Sequence, residues 1–348
     1  MSVEIATPDW LGELLAIDLP GEGGRVSVRG QTFTLRGGIL RAGSGGGADQ
    51  QETERTFAYK WSRRETFESD ESLGRMRAWL VERYGNVAEA PWWAELGPCP
   101  LLLDAGCGAA MSALALFGSR LSAVRYLGVD ASSALDVAAE RVSARGFPAA
   151  FLQADIARLP LQPGSAGVIF AEGVLHHTGD TRGSFHALVR LLAPGGRILF
   201  YVYRKKGPIR EFTDDYVRDQ LAAMSPREAW EAVLPITKLG QALGDLNIEV
   251  DIPQSIDLLE IPAGRIPLQR LFYWHVLKAY HHPNLSLDEL NHINFDWYAP
   301  VIPHRHTVDE VREWCAEADL PVEHEDVQLS GITVIARKRA SAGRHPSG

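Results

Sequence analysis

The residue types that can do chemistry gather in four short stretches: Asp104-Ala105-Gly106-Cys107-Gly108, Asp130, Asp155-Ile156, and Glu172-Gly173-Val174-Leu175-His176-His177. Gly106 and Gly108 follow Leu101-Leu102-Leu103, an apolar run bounded by Pro100 that suits a strand buried on both faces. Glycines there remove side chains where the backbone turns and let a ligand approach the main chain, and the free N–H groups of the next helix face the same space. A dinucleotide fingerprint would place a third glycine near Met111 and no carboxylate at the strand end, whereas Asp104 precedes Gly106 by two residues. A carboxylate there disfavours a pyrophosphate and favours an ammonium or sulfonium. Asp130 stands 24 residues after Gly106 and ends Tyr126-Leu127-Gly128-Val129. Its ionised carboxylate can accept from the paired hydroxyls of a ribose, or cap the helix that follows. His176 and His177 leave an apolar stretch directly, and neutral imidazole is poised near physiological pH to take a proton.

These stretches need a frame that brings successive strand ends together. Residues 100–203 alternate strand and helix patterns, with strands expected at 101–105, 125–130, 150–154, 168–172 and 196–203. The fold class is therefore α/β: a doubly wound, Rossmann-like, mostly parallel sheet with its ligand at the carboxyl ends of the strands. Ser132 or Ser133 is placed to cap the helix running to Arg145, and a further helix ends before Pro194-Gly195-Gly196. Residues 1–48 read as a small β ribbon, with strands at 14–19, 25–28 and 32–35, and a flexible linker, Gly43-Ser44-Gly45-Gly46-Gly47. Residues 49–203 form the core, opening with aromatic and helical segments at 52–67 and 72–84.

After Tyr203 about 100 residues pass before the core pattern resumes, too long for a loop in a compact domain. Residues 204–306 are therefore expected to be a helical lid insertion, with helices at 213–224 and 226–232 and the aromatic run Leu271-Phe272-Tyr273-Trp274-His275. The insertion brings Tyr216, Trp274, His275, Asn294, Asp296, Trp297 and Tyr298 into one segment and leaves the sheet where a ligand should lie. Residues 307–339 complete the core, with Thr307 as N-cap of a helix at 308–319 and a last strand at 332–336. Residues 340–348 are expected to be a disordered tail.

Composition sets the class. The 348 residues are 45% hydrophobic and 23% charged, as in a soluble globular protein with a full core. A net charge of −9 argues against a general binder of nucleic acid or anionic membranes, although Arg204-Lys205-Lys206 is a local basic patch. Cys99, Cys107 and Cys315 show no paired spacing, which suits a reducing cytoplasm. No basic leader and no apolar run of about 18 residues predicts secretion or membrane spanning. Oligomeric state is not legible.

Asp104-Ala105-Gly106-Cys107-Gly108 resembles the first motif of the class I S-adenosylmethionine-dependent methyltransferases, and three later stretches agree in order. Gln153-Ala154-Asp155-Ile156 is similar to the acidic turn that meets the adenine. Glu172 to His177 and Leu191-Leu192-Ala193-Pro194-Gly195-Gly196 resemble the segments around the fourth and fifth strands in the subgroup that includes the ubiquinone and menaquinone C-methylases (type 11). The resemblance implies S-adenosyl-L-methionine as cofactor, held by Asp104, Gly106, Cys107, Gly108, Asp130, Ala131, Asp155, Ile156 and Glu172, with Asp130 on the ribose and Asp155 on the adenine amino group. It implies in-line methyl transfer to carbon, nitrogen or oxygen of a small-molecule acceptor. His177, or else His176, is the candidate base or orienting group, with the other histidine capping the next turn alongside Thr178 and Asp180.

Trp61, Tyr203, Trp274, His275 and Trp297 are the candidate acceptor-binding residues. The neighbourhood of Phe57, Tyr59 and Trp61 resembles a segment that covers the cofactor in related enzymes. The N-terminal ribbon resembles a zinc ribbon without its cysteines, and no catalytic metal is expected despite His281-His282, His292, His304 and His306. Other readings are a silent cofactor-binding scaffold, transfer of another group from the sulfonium, and a nicotinamide oxidoreductase.

Overall fold

The structure, a computed structural model, describes residues 5–43 and 47–340. A short helix, α1 (Asp9–Leu15), precedes three antiparallel strands, β1 (Arg25–Val28), β2 (Gln31–Arg36) and β3 (Ile39–Ala42). The strand expected at 14–19 is replaced by α1: Leu11 and Leu15, one helical turn apart, are both buried, and Ala16 ends the turn in the left-handed conformation. The linker's Ser44, Gly45 and Gly46, and nearly all of the expected tail, lie outside the described residues.

Two helices, α2 (Ala48–Ser62) and α3 (Asp70–Tyr84), lead into the core, which runs β4 (Leu101–Ala105), α4 (Met111–Phe117), β5 (Arg125–Asp130), α5 (Ala134–Ser143), β6 (Ala149–Gln153), β7 (Ala166–Glu172), α6 (Thr181–Leu191) and β8 (Leu192–Tyr203). The segment after β8 holds α7 (Pro208–Leu221), α8 (Pro226–Asp245), a hairpin of β9 (Glu249–Ile252) and β10 (Gly264–Pro267), α9 (Leu268–His275) and α10 (Leu287–Tyr298). The chain closes with α11 (Val308–Glu317), β11 (Val322–Val327) and β12 (Gly331–Arg337). Thr307 caps α11 in a reciprocal box with Glu310, as its type and position predict.

Ten strands form one α/β sheet in the order β1-β2-β3-β6-β5-β4-β7-β8-β12-β11, parallel from β3 to β8. The N-terminal strands extend it, because β3 pairs with β6 and Arg41 reaches both Gln153 and Asp136. Strand succession reverses between β4 and β7, so the crevice of a doubly wound sheet opens at their carboxyl ends. Burial explains the near-continuous apolar strands: every residue of β4 is buried. β11 was not expected, since its Glu323, His324, Glu325 and Asp326 hide an edge strand that only β12 pairs with.

The segment 204–306 leaves and returns at one point, where Arg204 and His306 form a bridge and the His306 N–H donates to the Tyr203 carbonyl at 2.8 Å. α8 continues past Pro235, beyond its expected end at 232, because its buried residues Ala229, Trp230, Val233, Thr237 and Gly240 keep helical spacing against α10. Trp230, Val233, Phe295, Trp297 and Tyr298 make a separate apolar core that meets the sheet through Tyr201 and Tyr203.

Candidate functional site

A cavity of about 670 Å³ lies where the carboxyl ends of the strands meet the helical segment, within the ~300–1,000 Å³ usual for small-molecule sites. Its core wall is built by turns. Gly106 and Gly108 have φ of +72° and +51°. A Cβ on Gly106 would lie 2.2 Å from the Val174 side chain, and one on Gly108 would lie 2.8 Å from the Trp61 indole nitrogen. Side chains are thus excluded at both positions by backbone conformation and by the two residues packed on the turn. Ser112, Ala131, Ser132, Ala154, Asp155, Ile156, Glu172 and Gly173 continue this wall.

Asp130 stands at the tip of β5 and fastens the glycine turn: one carboxylate oxygen accepts from Gly108 N at 2.9 Å, the other from Ser132 N and Oγ at 2.8 and 2.6 Å. Three of its roughly four acceptor positions are filled, leaving one toward the cavity. The expected grip on both ribose hydroxyls therefore needs the Ser132 contact to open. Burial raises the Asp130 carboxyl above its ordinary range, with the Ser132 and Gly108 bonds pulling the other way. Asp155 caps the turn after β6 through Ala157 N at 2.9 Å. Both oxygens of Glu172 are held by α3, from Arg83 and Tyr84 at 2.6 Å each, so it braces the wall. Glu54 of α2 lines the cavity opposite, and its carboxyl is raised by burial and by the nearby Asp130 and Asp155.

Asp104 and Cys107 do not reach the wall. Asp104 is buried beneath it, accepts from Tyr126 Oη at 2.6 Å, and is pushed up to about 7 by burial against that bond. Asp104, expected to meet a cationic ligand directly, is instead buried off the cavity wall with one carboxylate oxygen taken by the β5 tyrosine. Cys107 turns into the core with Sγ toward the Gly108 carbonyl.

The lid wall is built by side chains. Trp61, Tyr203, Trp274 and Trp297 line it together with Tyr201, Tyr273, Tyr280, His177, His292 and Asp296. Lys60 of α2 pairs with Asp296 of α10 and joins the two walls. Burial alone would raise the Asp296 carboxyl, but Lys60 and Lys278 hold it far below its ordinary range. The adjacent histidines separate. His177 faces the cavity; its Nδ1 is 2.6 Å from the Ile302 carbonyl and so carries the proton, leaving Nε2 as acceptor. Burial drives it down to about 4, against the pull of Asp296, so it is neutral at pH 7 and a feeble base.

His176 is fully buried with its ring 3.7 Å from that of Tyr203, and neither ring nitrogen has a hydrogen-bond partner among the described residues. It does not cap the following turn: Asp180 caps α6, and Thr178 bonds to Leu175 and Ser184. Four other expected contributors also stand off the wall, among them Tyr298, which is buried with its hydroxyl donating to Asp214. His275 is buried at the end of α9, Tyr216 is exposed on the outer face of α7, and Asn294 links Tyr280 N to Thr237 inside the lid. Residues missed by sequence reasoning are Lys60, Arg75, Arg270 and Lys278, all on the wall. A lone lysine in Val276-Leu277-Lys278-Ala279-Tyr280 is the one signal that could have marked Lys278 as buried. Among the described residues no group of three His, Cys, Asp or Glu is placed to hold a metal ion, and no helix is long and apolar enough to cross a membrane.

With this geometry in place, residues 103–200 match the family model described as a methyltransferase domain. Over these residues the chain carries a methyltransferase domain, whose cofactor is S-adenosyl-L-methionine. Among solved structures it is similar to a 1,6-didemethyltoxoflavin-N1-methyltransferase of Burkholderia thailandensis with bound 1,6-didemethyltoxoflavin and S-adenosylhomocysteine, at 14% identity over 92% of this chain and 100% of that one, TM-score 0.44. It is also similar to an O-methyltransferase family protein of the same organism, at 14% identity over 83% and 64% of the two chains, TM-score 0.45. A third similar structure is the magnesium protoporphyrin IX methyltransferase of Synechocystis PCC 6803, at 14% identity over 83% and 99%, TM-score 0.42. No functionally curated protein matches by sequence.

The residues present fit this cofactor. The turn at Gly106 and Gly108 keeps side chains off one wall of the cavity, and Asp130 has an acceptor position open toward it. The surrounding carboxylates suit a ligand carrying sulfonium and ammonium charge.

Proposed function

We propose that the protein transfers the methyl group of S-adenosyl-L-methionine to a small-molecule acceptor enclosed by the lid. The supporting observation is one cavity with two unlike walls: strand-end glycines and carboxylates on one side, and aromatic rings from α2, α9 and α10 on the other. In this reading Gly106, Gly108, Asp130, Ala131, Asp155 and Ile156 bind the cofactor, and Trp61, Tyr203, Trp274 and Trp297 enclose the acceptor. When bound, the sulfonium supplies an activated methyl for displacement by a carbon, nitrogen or oxygen nucleophile. The chain's own work is alignment and exclusion of water, to which the Lys60–Asp296 pair contributes by tying α2 to α10 over the cavity. Neutral His177 presents Nε2 as a hydrogen-bond acceptor that orients a donor on the acceptor molecule. The segment 204–306 sets specificity.

Calorimetry with S-adenosylhomocysteine on wild type and Asp130→Ala tests the cofactor half. Loss of a charge-assisted bond at Asp130 should cost about 1.5–3 kcal/mol, roughly 10- to 150-fold in affinity. Transfer of radiolabelled methyl to a candidate acceptor tests the reaction. Unchanged affinity in Asp130→Ala would overturn the assignment of the core wall.

A further inference from the structure

Several cations on the lid wall form no ion pair among the described residues. Lys206, Arg210, Arg270 and Lys278 all line that wall. Arg210 pairs with Asp214, and the Lys206 ammonium donates to the carbonyls of Arg204, Leu329 and Ser330 at 2.7–2.8 Å. Arg270 has one polar contact among the described residues, a 3.4 Å approach to the His281 carbonyl, and no carboxylate. Lys278 is 8% exposed and has no hydrogen bond and no ion pair among the described residues. Its ammonium is 4.9 Å from the Trp297 ring centre.

An unpaired buried ammonium is costly, so its placement needs a cause. The next two residues are locked. Gly240 of α8 approaches so closely that a Cβ there would lie 2.5 Å from the Ala279 carbonyl. Gln269 donates to that carbonyl at 2.8 Å, and Tyr280 N donates to Asn294 at 2.9 Å. Lys278 is thereby held against the cavity with no hydrogen bond or ion pair to a carboxylate among the described residues; Asp296 and Asp214 act on it only through space. The lid's own carboxylates are committed elsewhere: Asp296 to Lys60, and Glu289 to Ser69, Ser72 and Ser286. The other carboxylates on the cavity, Glu54, Asp130, Asp155 and Glu172, come from α2 and the strand ends.

We propose that Lys278 is the anchor for an anionic group of the methyl acceptor, with Arg270 as a second cation on the same wall, so that the acceptor is an acidic aromatic small molecule. Its oxyanion meets the ammonium that has no hydrogen bond or ion pair among the described residues, and its ring lies among Tyr273, Trp274 and Trp297. The inference rests on the assignment of the lid wall as the acceptor site. It also carries a protonic signature. Facing Lys278 are Asp296 from α10, Arg210, Asp214 and Arg218 from α7, and Lys206 after β8; burial lowers the amine to about 7 while Asp296 pulls it upward. An anion bound there favours the protonated amine, so binding above pH 7 takes up a proton from solvent.

The test uses the full chain saturated with S-adenosylhomocysteine and titrated with benzoate, salicylate and 2-naphthoate, each beside its neutral amide, in two buffers of different ionisation enthalpy at pH 8. At least one acid should bind about tenfold or more tightly than its amide, with uptake approaching about one proton. Lys278→Met should abolish both the preference and the uptake while leaving S-adenosylhomocysteine affinity unchanged. If that variant has lost S-adenosylhomocysteine binding, Arg270→Gln decides, with an expected loss of acid affinity of about three- to tenfold. Amides binding as well as acids, no acid binding at millimolar concentration, or a preference that survives the deciding substitution would each overturn the proposal. Failure of the wild type to bind S-adenosylhomocysteine would instead overturn the cofactor reading beneath it.

Discussion

The two walls of the cavity are made differently. On the core side the backbone places the functional atoms: a turn after β4, the tip of β5 and a cap after β6, held by short-range bonds such as Asp130 to Gly108 and Ser132. On the lid side, side chains from distant parts of the chain hold one another. Asp214 of α7 accepts from Arg210, from the Trp297 indole at 2.8 Å and from the Tyr298 hydroxyl at 2.9 Å. A wall made by backbone tolerates change in its surroundings but not at its turns. A wall made by a buried polar network depends on every partner being present.

Asp214→Ala presses hardest on this distinction. It leaves the Arg210 guanidinium, 1% exposed, without a counter-charge, and strands an indole N–H and a phenol. Removing one member of a buried pair costs about 3–5 kcal/mol. Thermal unfolding should fall accordingly, while calorimetric affinity for S-adenosylhomocysteine at low temperature holds near the wild-type value. Equal loss of both would show that the lid and core walls form one cooperative body.

Gly106→Ala is the matching change on the core side. At φ +72° a side chain is strained, and its Cβ would lie within 2.4 Å of two Val174 carbons. Left-handed strain and overpacking together should cost about 2–4 kcal/mol. Cofactor affinity should drop sharply while the packing of Trp297, read by near-ultraviolet dichroism, is kept. Adding Val174→Gly, which removes the Cβ at 2.4 Å along with the methyls, should recover the packing share and leave the backbone share. Full recovery would mean that the glycine serves packing alone.

This difference between walls governs what the sequence makes legible. The core wall is written in contiguous motifs because strand, turn and helix are local events, and the strand ends at Asp130 and Glu172 follow from apolar runs that stop. The same local reading misplaces residues whose position is decided from afar. It reads 14–19 as a strand, although Leu11 and Leu15 form a buried helical face. It ends a helix at 232, although tertiary packing carries α8 through Pro235. It separates His177 from His176 no further than adjacency allows, whereas the ring of Tyr203 packs over His176 and His177 is the one left on the cavity. It places Trp274 and Trp297 in one segment, together with Tyr216 and Tyr298 that stand off the wall, but gives no reason to choose Lys278, whose place depends on Gly240 in another helix. It assigns Asp104 to the ligand by motif, and the β5 residue that covers it, Tyr126, lies outside that motif.

The finest test lies where the walls meet. Tyr203 ends β8, where the lid departs, and its hydroxyl is 3.4 Å from the second oxygen of Asp296, whose first oxygen is bonded by Lys60. That bond is near the outer limit of hydrogen-bond distance, and Asp296 is already neutralised by Lys60, so Tyr203→Phe should destabilise the fold by only about 0.5–1 kcal/mol. The ring, which stacks against His176 and lies 4.6 Å from that of Trp297, stays in place. If the hydroxyl merely trims the junction, single-turnover transfer with saturating cofactor should stay within about threefold of wild type, because about 0.6 kcal/mol is a factor near three. A fall of about a hundredfold in rate, with S-adenosylhomocysteine affinity and acceptor KM unchanged, would instead place the hydroxyl on the reacting atoms. The seam between the walls would then be the seat of the chemistry, with neither wall holding it alone.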